Sequence, residues 1–279
     1  MKFGLSLPNR GPFGDIHLIR DLAILAEETG WDGFFIWDHI ASGVSPHIDP
    51  WIAMAAVACN TNKMQLGIHV TPISRRRPWK VAREIVTLDH LSNGRMVFGV
   101  GLGDFRRKEF EAFGEVADPR TKAEMLDEGL EIIHGLQSGE SFRYSGKHYT
   151  ISQTIFKPRP IQQPRVPIWV GGQWPNKAPF RRAARWDGVV PIAKGRKKDQ
   201  FLSPTEVREM VAYIGKYRSV DKPFDICLCG VTAGRSLSKD KAIVEPYKDV
   251  GVTWWIDFIY TSRGSVKENE DRIRSGPPR

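Results

Sequence analysis

Cysteine is scarce in this chain of 279 residues, with only Cys59, Cys227 and Cys229. An odd number without framework spacing excludes a disulfide scaffold and fits a reducing compartment. Cys227 and Cys229 alternate as on a strand, and one intervening residue is too few for the usual zinc pairs. Long hydrophobic runs are missing as well. The longest, Trp51 to Cys59, falls far short of the ~20 residues that span a bilayer. The opening Met1-Lys2-Phe3-Gly4-Leu5-Ser6-Leu7-Pro8 is broken too early for a signal peptide. A cytoplasmic protein with no membrane partner is expected.

Acidic residues are in deficit, 32 Asp+Glu against 41 Lys+Arg, for a net charge of +9. The excess admits nucleic acid, an anionic lipid surface, an anionic ligand or plain solvent as its counterpart. Several signatures are absent. Gly99-Val100-Gly101-Leu102-Gly103-Asp104 has glycines two apart and no helix start directly after it, which argues against a dinucleotide fingerprint. No P-loop, H-E-x-x-H or G-x-S-x-G motif occurs, and the seven histidines show no metal-ligand spacing. Hydrolase and metal chemistry lose support, no metal is expected, and no nucleic-acid module is visible.

What is present is a hydrophobic fraction of 41%, enough for a large core, and a regular beat of short apolar runs and amphipathic stretches. Phe3 to Leu7, Gly33 to Trp37, Leu66 to Thr71 and Met96 to Val100 read as strands. So do Ile168 to Val170, Val189 to Ile192, Phe224 to Val231 and Thr253 to Tyr260. Between them lie helical patterns, among them Val81, Ile85 and Leu88 on one face and Leu126, Leu130 and Ile133 on another. Eight βα units in this length predict a single-domain (β/α)8 TIM barrel over 1–279 rather than a doubly wound sheet. The irregular stretch 139–167, with a hairpin-like Phe142 to Tyr149, is read as an insertion before the fifth strand.

On such a barrel the βα loops share one rim, which carries the active site. Arg75-Arg76-Arg77, Arg106-Arg107-Lys108, Lys177/Arg181/Arg182 and Lys194/Arg196/Lys197/Lys198 all fall there, predicting a basic mouth for an anionic ligand. Trp37, Trp79 and Trp174 are placed near the same rim. Asp38-His39 ends the second strand, where histidine is easily poised for proton transfer and an aspartate can fix its tautomer. Asp104, after the fourth strand, is the candidate second acid. Gly171-Gly172-Gln173-Trp174-Pro175-Asn176 is read as a loop into a helix, with glycines that let backbone approach a ligand and helix amides that hold phosphate. Thr71, in His69-Val70-Thr71-Pro72, offers a hydroxyl at the end of the third strand.

Taken together these segments resemble the luciferase-like family of flavin- and deazaflavin-dependent oxidoreductases. The likeness runs from Phe3-Gly4-Leu5-Ser6-Leu7-Pro8 through Trp37-Asp38-His39 and Arg77-Pro78-Trp79. It continues in Thr87-Leu88-Asp89-His90-Leu91-Ser92-Asn93-Gly94-Arg95, Gly99-Val100-Gly101-Leu102-Gly103 and Pro167-Ile168-Trp169-Val170-Gly171-Gly172. The resemblance implies a reduced flavin or deazaflavin in the mouth, a non-prolyl cis peptide at His69-Val70 against its ring, and a phosphate site at Gly171-Gly172. It implies that Asp38, His39 and Asp104 lie near the ring. His69, Val70, Thr71, Gly101, Gln173, Asn176 and Arg75 are the further candidates for holding the cofactor. Ile40-Ala41-Ser42-Gly43 lacks the aromatic that follows the Asp-His pair in some deazaflavin dehydrogenases, so sugar-phosphate activity does not transfer.

The expected activity is a monooxygenase using reduced FMN on a small organic substrate. The alternative is hydride transfer with 8-hydroxy-5-deazaflavin (coenzyme F420), whose acidic tail suits a basic rim. A non-catalytic flavin-binding protein is the rival from another class, and a homodimer is a further expectation.

Overall fold

A computed structural model describes residues 1–104, 108–195, 200–219 and 222–279. The chain opens with β1 (Lys2–Leu7), α1 (Ile16–Glu28), β2 (Gly33–Ile36), α2 (Pro50–Asn60), β3 (Gln65–Pro72), α3 (Pro78–Leu91) and β4 (Met96–Gly101). A short α4 (Glu109–Ala112) precedes α5 (Pro119–Gln137) and a hairpin, β5 (Ser141–Ser145) and β6 (Thr150–Ile155). The beat resumes with β7 (Ile168–Trp174), α6 (Lys177–Ala183), β8 (Gly188–Ala193) and α7 (Pro204–Gly215). It ends with β9 (Asp225–Gly230), α8 (Leu237–Lys248), β10 (Trp254–Phe258) and α9 (Val266–Arg274). β1-β2-β3-β4-β7-β8-β9-β10 close on one another as a barrel, every pair parallel. This is the TIM barrel of the sequence reading, and the antiparallel β5–β6 hairpin lies within the stretch read as an insertion.

Local chemistry explains the boundaries. Asp15 caps α1 by accepting from the amides of His17 and Leu18, and Gly30 follows the helix with a left-handed φ of +88°. Asp49 caps α2 directly ahead of Pro50. Ser203 with Glu206, and Ser265 with Glu268, form reciprocal capping boxes that start α7 and α9. Apolar stripes such as Val81, Ile85 and Leu88 of α3 then bury against the outer wall of the barrel.

The lumen is packed rather than hollow. Phe35, Val97, Trp169, Val190, Cys227, Cys229, Trp254 and Ile256 fill it. The rings of Phe35 and Trp169 stand 5.4 Å apart, and those of Trp169 and Trp254 5.5 Å. Cys227 and Cys229 are therefore packing residues, and burial pushes both thiols up, away from reactivity. α9 is fastened at the other side of the wall by Asp257, buried between Arg263 (2.9 Å) and Arg272 (2.8 Å).

One boundary differs from the sequence reading in a way that matters. Gly171-Gly172-Gln173-Trp174 is strand, not loop: it pairs residue for residue with Val190 to Ala193 of β8. The two glycines answer to close neighbours instead of to a turn. A Cβ on Gly172 would stand 2.6 Å from Pro179 Cβ, and one on Gly171 would stand 3.3 Å from Val70 Cγ1. The connection to α6 shrinks to Pro175-Asn176.

Candidate active site

At the ends of β2 and β3 the chain assembles a buried ionic relay. Asp38 and His39 follow β2, Arg75 ends a short turn after β3, and Glu109 opens α4. Arg75 Nη2 donates to the Asp38 carboxylate at 2.6 Å and to its carbonyl, while Nη1 donates to Glu109 Oε2 at 2.8 Å. Glu109 Oε1 lies 2.8 Å from His39 Nδ1. Arg76 stands 3.3 Å from the other Asp38 oxygen. The side chains of Asp38, Arg75 and Glu109 are 0%, 3% and 4% exposed, so their charges are compensated inside the protein and not by water.

The protonation pattern follows from this arrangement. Burial alone would raise the Glu109 pKa, but the hydrogen bond and charge of His39 and the Arg75 guanidinium together bring it below the ordinary value. Glu109 is thus a carboxylate near neutral pH, and His39 Nδ1–H donates to it. In the neutral form of the ring the lone pair sits on Nε2, which has no hydrogen-bond partner among the described residues. Asn9 fixes the backbone of His39 by donating to its carbonyl at 2.8 Å and accepting from its amide at 3.2 Å. The indole of Trp37 packs edge-on to the His39 ring, 6.0 Å between centroids, and donates to Ser6 Oγ at 3.0 Å.

Beside the relay lies an apolar floor. Val70, Phe201 and Phe258 are partly exposed and rest on the filled lumen. Val70 fits a slot made by Gly99, Gly101 and Gly171. A Cβ on Gly101 would come within 2.8 Å of its Cγ2. The His69-Val70 peptide is cis, and the β3–β4 register shifts between Ile68 and Thr71. His69 Nε2 and Thr71 Oγ1 are buried without a hydrogen-bond partner among the described residues. Orphaned buried polar atoms beside a flat apolar surface fit a planar ring with polar edges, because leaving such atoms unpaired costs about 1–3 kcal/mol each.

Burial pushes the His69 pKa down to about 4, so the folded protein holds this ring neutral. The unfolded chain takes up a proton near 6.5 and the folded one does not. The stability contributed is therefore full above about pH 6.5 and declines as pH falls toward 4. Urea unfolding should show about 2 kcal/mol less stability at pH 5 than at pH 7 from this residue. His47 and His134 are also pushed down by burial and act in the same direction. The share due to His69 is the part missing in His69→Gln, and an equal pH response in that variant would remove the assignment.

Other expected residues are placed differently. Asp38, expected near the ring, is buried against Arg75 and Arg76. Arg75, read as a rim cation serving the cofactor, has both terminal nitrogens committed to Asp38 and Glu109. Arg182, read as a rim cation, is buried on Asp127 at 2.6 Å. The basic mouth is to that extent neutralised from within, because the loops supply carboxylates whose partners are not adjacent in sequence. Arg106, Arg107, Arg196, Lys197 and Lys198 lie outside the described residues. Trp174 is buried against Phe180, whereas Trp79 is exposed at the start of α3. Gln173 is half-buried, and exposed Asn176 accepts from Lys194 Nζ at 3.0 Å. Asp104 is half-buried. The acid that meets His39 is Glu109, five residues further on, which sequence reasoning missed. Its one signal is Phe110, a large apolar residue set between two glutamates.

Residues 1–233 match the family described as luciferase-like monooxygenase. The chain belongs to that family. Among its luciferase-like relatives is an F420-dependent glucose-6-phosphate dehydrogenase of Microbacterium testaceum. The two are 32% identical over 187 residues, covering 63% of this chain and 52% of that protein. Limonene 1,2-monooxygenase of Rhodococcus erythropolis is 33% identical over 126 residues, 45% of this chain and 32% of that protein. The chain spans about half the length of the first curated relatives it matches. The coenzyme F420-dependent tetrahydromethanopterin reductase of Methanopyrus kandleri shares the luciferase-like fold. Its TM-score is 0.73 at 20% identity, covering 98% of this chain and 97% of that one. No helix among the described residues is long and apolar enough to cross a membrane.

Proposed function

We propose that this protein is an oxidoreductase that moves a hydride between a small alcohol or its carbonyl form and an 8-hydroxy-5-deazaflavin of the F420 type. The observation that carries the reading is the His39 Nδ1–Glu109 contact of 2.8 Å, braced by Arg75, which leaves His39 Nε2 as a base. Several relatives are named as F420-dependent dehydrogenases, which supports the choice over reduced FMN.

A deazaflavin held there would supply the hydride-accepting chemistry. The chain's own residues handle the proton. His39 Nε2 takes it from the substrate hydroxyl, and the resulting imidazolium is stabilised by the Glu109 carboxylate at Nδ1. Arg75 keeps Glu109 ionised and fixed in direction. Val70 and Phe258 present an apolar surface for the ring, and His69 and Thr71 offer polar groups to its edge. Gly101, Gly171, Gly172, Gln173 and Asn176, with Lys194 on Asn176, would hold the ribityl phosphate. Arg75 is withdrawn from that set, and Asp38 supports Arg75 in place of touching substrate.

Fluorescence titration with F420 and with FMN, side by side, tests the proposal. F420 should bind at micromolar concentrations or tighter, and FMN more weakly. Preference for FMN would turn the reading to the monooxygenase, and binding of neither would end the enzyme reading.

A further inference from the structure

Glu109 reaches His39 only because α4 is held in place, and α4 has little of its own to hold it. It is four residues long, and its leading residue Lys108 takes a left-handed backbone (φ 52°) without a side-chain cap. One turn of helix is unstable alone. Its anchor is Phe110, which is 3% exposed and packs against Gly103. Among the described residues, two cations address that ring. Lys122 Nζ stands 3.4 Å from its centroid, and the Arg75 guanidinium 5.9 Å. Lys122 belongs to α5 and is fully buried, an expensive place for an ammonium group unless it is compensated. Attraction between a cation and an aromatic face is strongest where both are shielded from water.

We propose that Lys122 is a positioning residue for the His39–Glu109 pair, its ammonium seated on Phe110 so that α4 keeps Glu109 in reach of His39 Nδ1. The inference rests on reading that pair as the proton-handling site. It extends the relay from the end of β2, through the turn after β3 and α4, into α5. Burial pulls the Lys122 pKa down to about 8, with Glu111 of α4 raising it and Arg75 lowering it further. The cation is present below that pH and lost above it, so the pair should loosen as pH climbs past 8.

The test is the imidazole NMR signal of His39 in isotopically labelled protein without added cofactor. In the wild type the Nδ1–H resonance should be narrow at pH 7 and broaden at least about twofold above pH 8, as Lys122 gives up its proton. Lys122→Met should show the broadened signal already at pH 7, with an unfolding midpoint equal to or above that of the wild type, because a buried charge has been removed. Lys122→Arg, which stays charged, should keep the narrow signal beyond pH 8. A folded Lys122→Met protein with the wild-type signal and pH response would overturn the proposal. If that variant does not fold, Phe110→Leu removes the ring and keeps the lysine, and a wild-type His39 signal there overturns it equally. Because the readout needs no cofactor, failure to reduce F420 with the signal behaving as expected would sink the functional reading and leave this one standing.

Discussion

Replacing His39 with alanine should lower turnover of an alcohol substrate by about 10²–10⁴-fold, the range that general base groups supply, with F420 affinity close to that of the wild type. The split is what the geometry demands. His39 is held by Asn9 through its backbone and by Glu109 through Nδ1. Its Nε2 is the part available to a hydroxyl proton. Removing the ring deletes the base and leaves the apolar floor of Val70 and Phe258 and the Gly171–Gly172 strand as they are. Glu109→Gln should fall between wild type and His39→Ala. A glutamine oxygen still accepts from Nδ1 and preserves the tautomer, but the charge that stabilises the imidazolium is gone, and charge-assisted hydrogen bonds are roughly twice as strong as neutral ones. Stopped-flow turnover alongside fluorescence titration decides the matter. Unchanged turnover in His39→Ala would remove the catalytic assignment, and a matching loss of F420 affinity would make it a binding residue.

The barrel was legible from sequence because its signals are local. Val81, Ile85 and Leu88 share a face, Pro50 and Ser203 mark helix starts, and apolar runs recur at βα spacing. The position of Asp38-His39 at a strand end was legible for the same reason. Their partners were not. Arg75 meets Asp38 across 37 residues and Glu109 across 34, and nothing in either segment marks the match. Arg75-Arg76-Arg77 reads as part of a basic mouth for an anionic ligand, because charges in a βα loop ordinarily face the open rim. Here Arg75 turns inward, since two buried carboxylates make its desolvation worthwhile. Gly171-Gly172 misled in the opposite direction. Paired glycines most often announce a turn, but a strand needs them when a neighbour such as Val70 or Pro179 comes closer than a Cβ allows. Lys122 was invisible for a related reason, because a lysine in the first turns of a helix is ordinarily solvent-facing.

Arg75→Met should destabilise the protein by about 3–5 kcal/mol, the cost of breaking a buried pair from one side. The guanidinium is the common partner of two buried carboxylates, and methionine fills similar volume without offering either of them a donor. Both Asp38 and Glu109 would then be anionic in a site with too little positive charge. Glu109, which Arg75 holds below the ordinary carboxylate value, would respond by taking up a proton more readily. The pH dependence gives the sign of the effect. In the wild type Glu109 has a lowered pKa, so its contribution is full above the usual carboxylate value and is lost as pH falls through the folded one. In Arg75→Met Glu109 loses the guanidinium that lowers its pKa and shifts upward, so the folded variant binds a proton that the wild type does not. The deficit against wild type should therefore be largest near pH 7 and shrink toward pH 5, where protonation relieves the unpaired charges. Denaturant unfolding at the two pH values measures it. The triple variant Arg75→Met, Asp38→Asn and Glu109→Gln should recover part of the loss at pH 7, because it removes the uncompensated charges that the single change exposes. A deficit that is independent of pH, or a triple variant less stable than the single one, would mean that Arg75 acts through packing and not as the ionic centre of the relay.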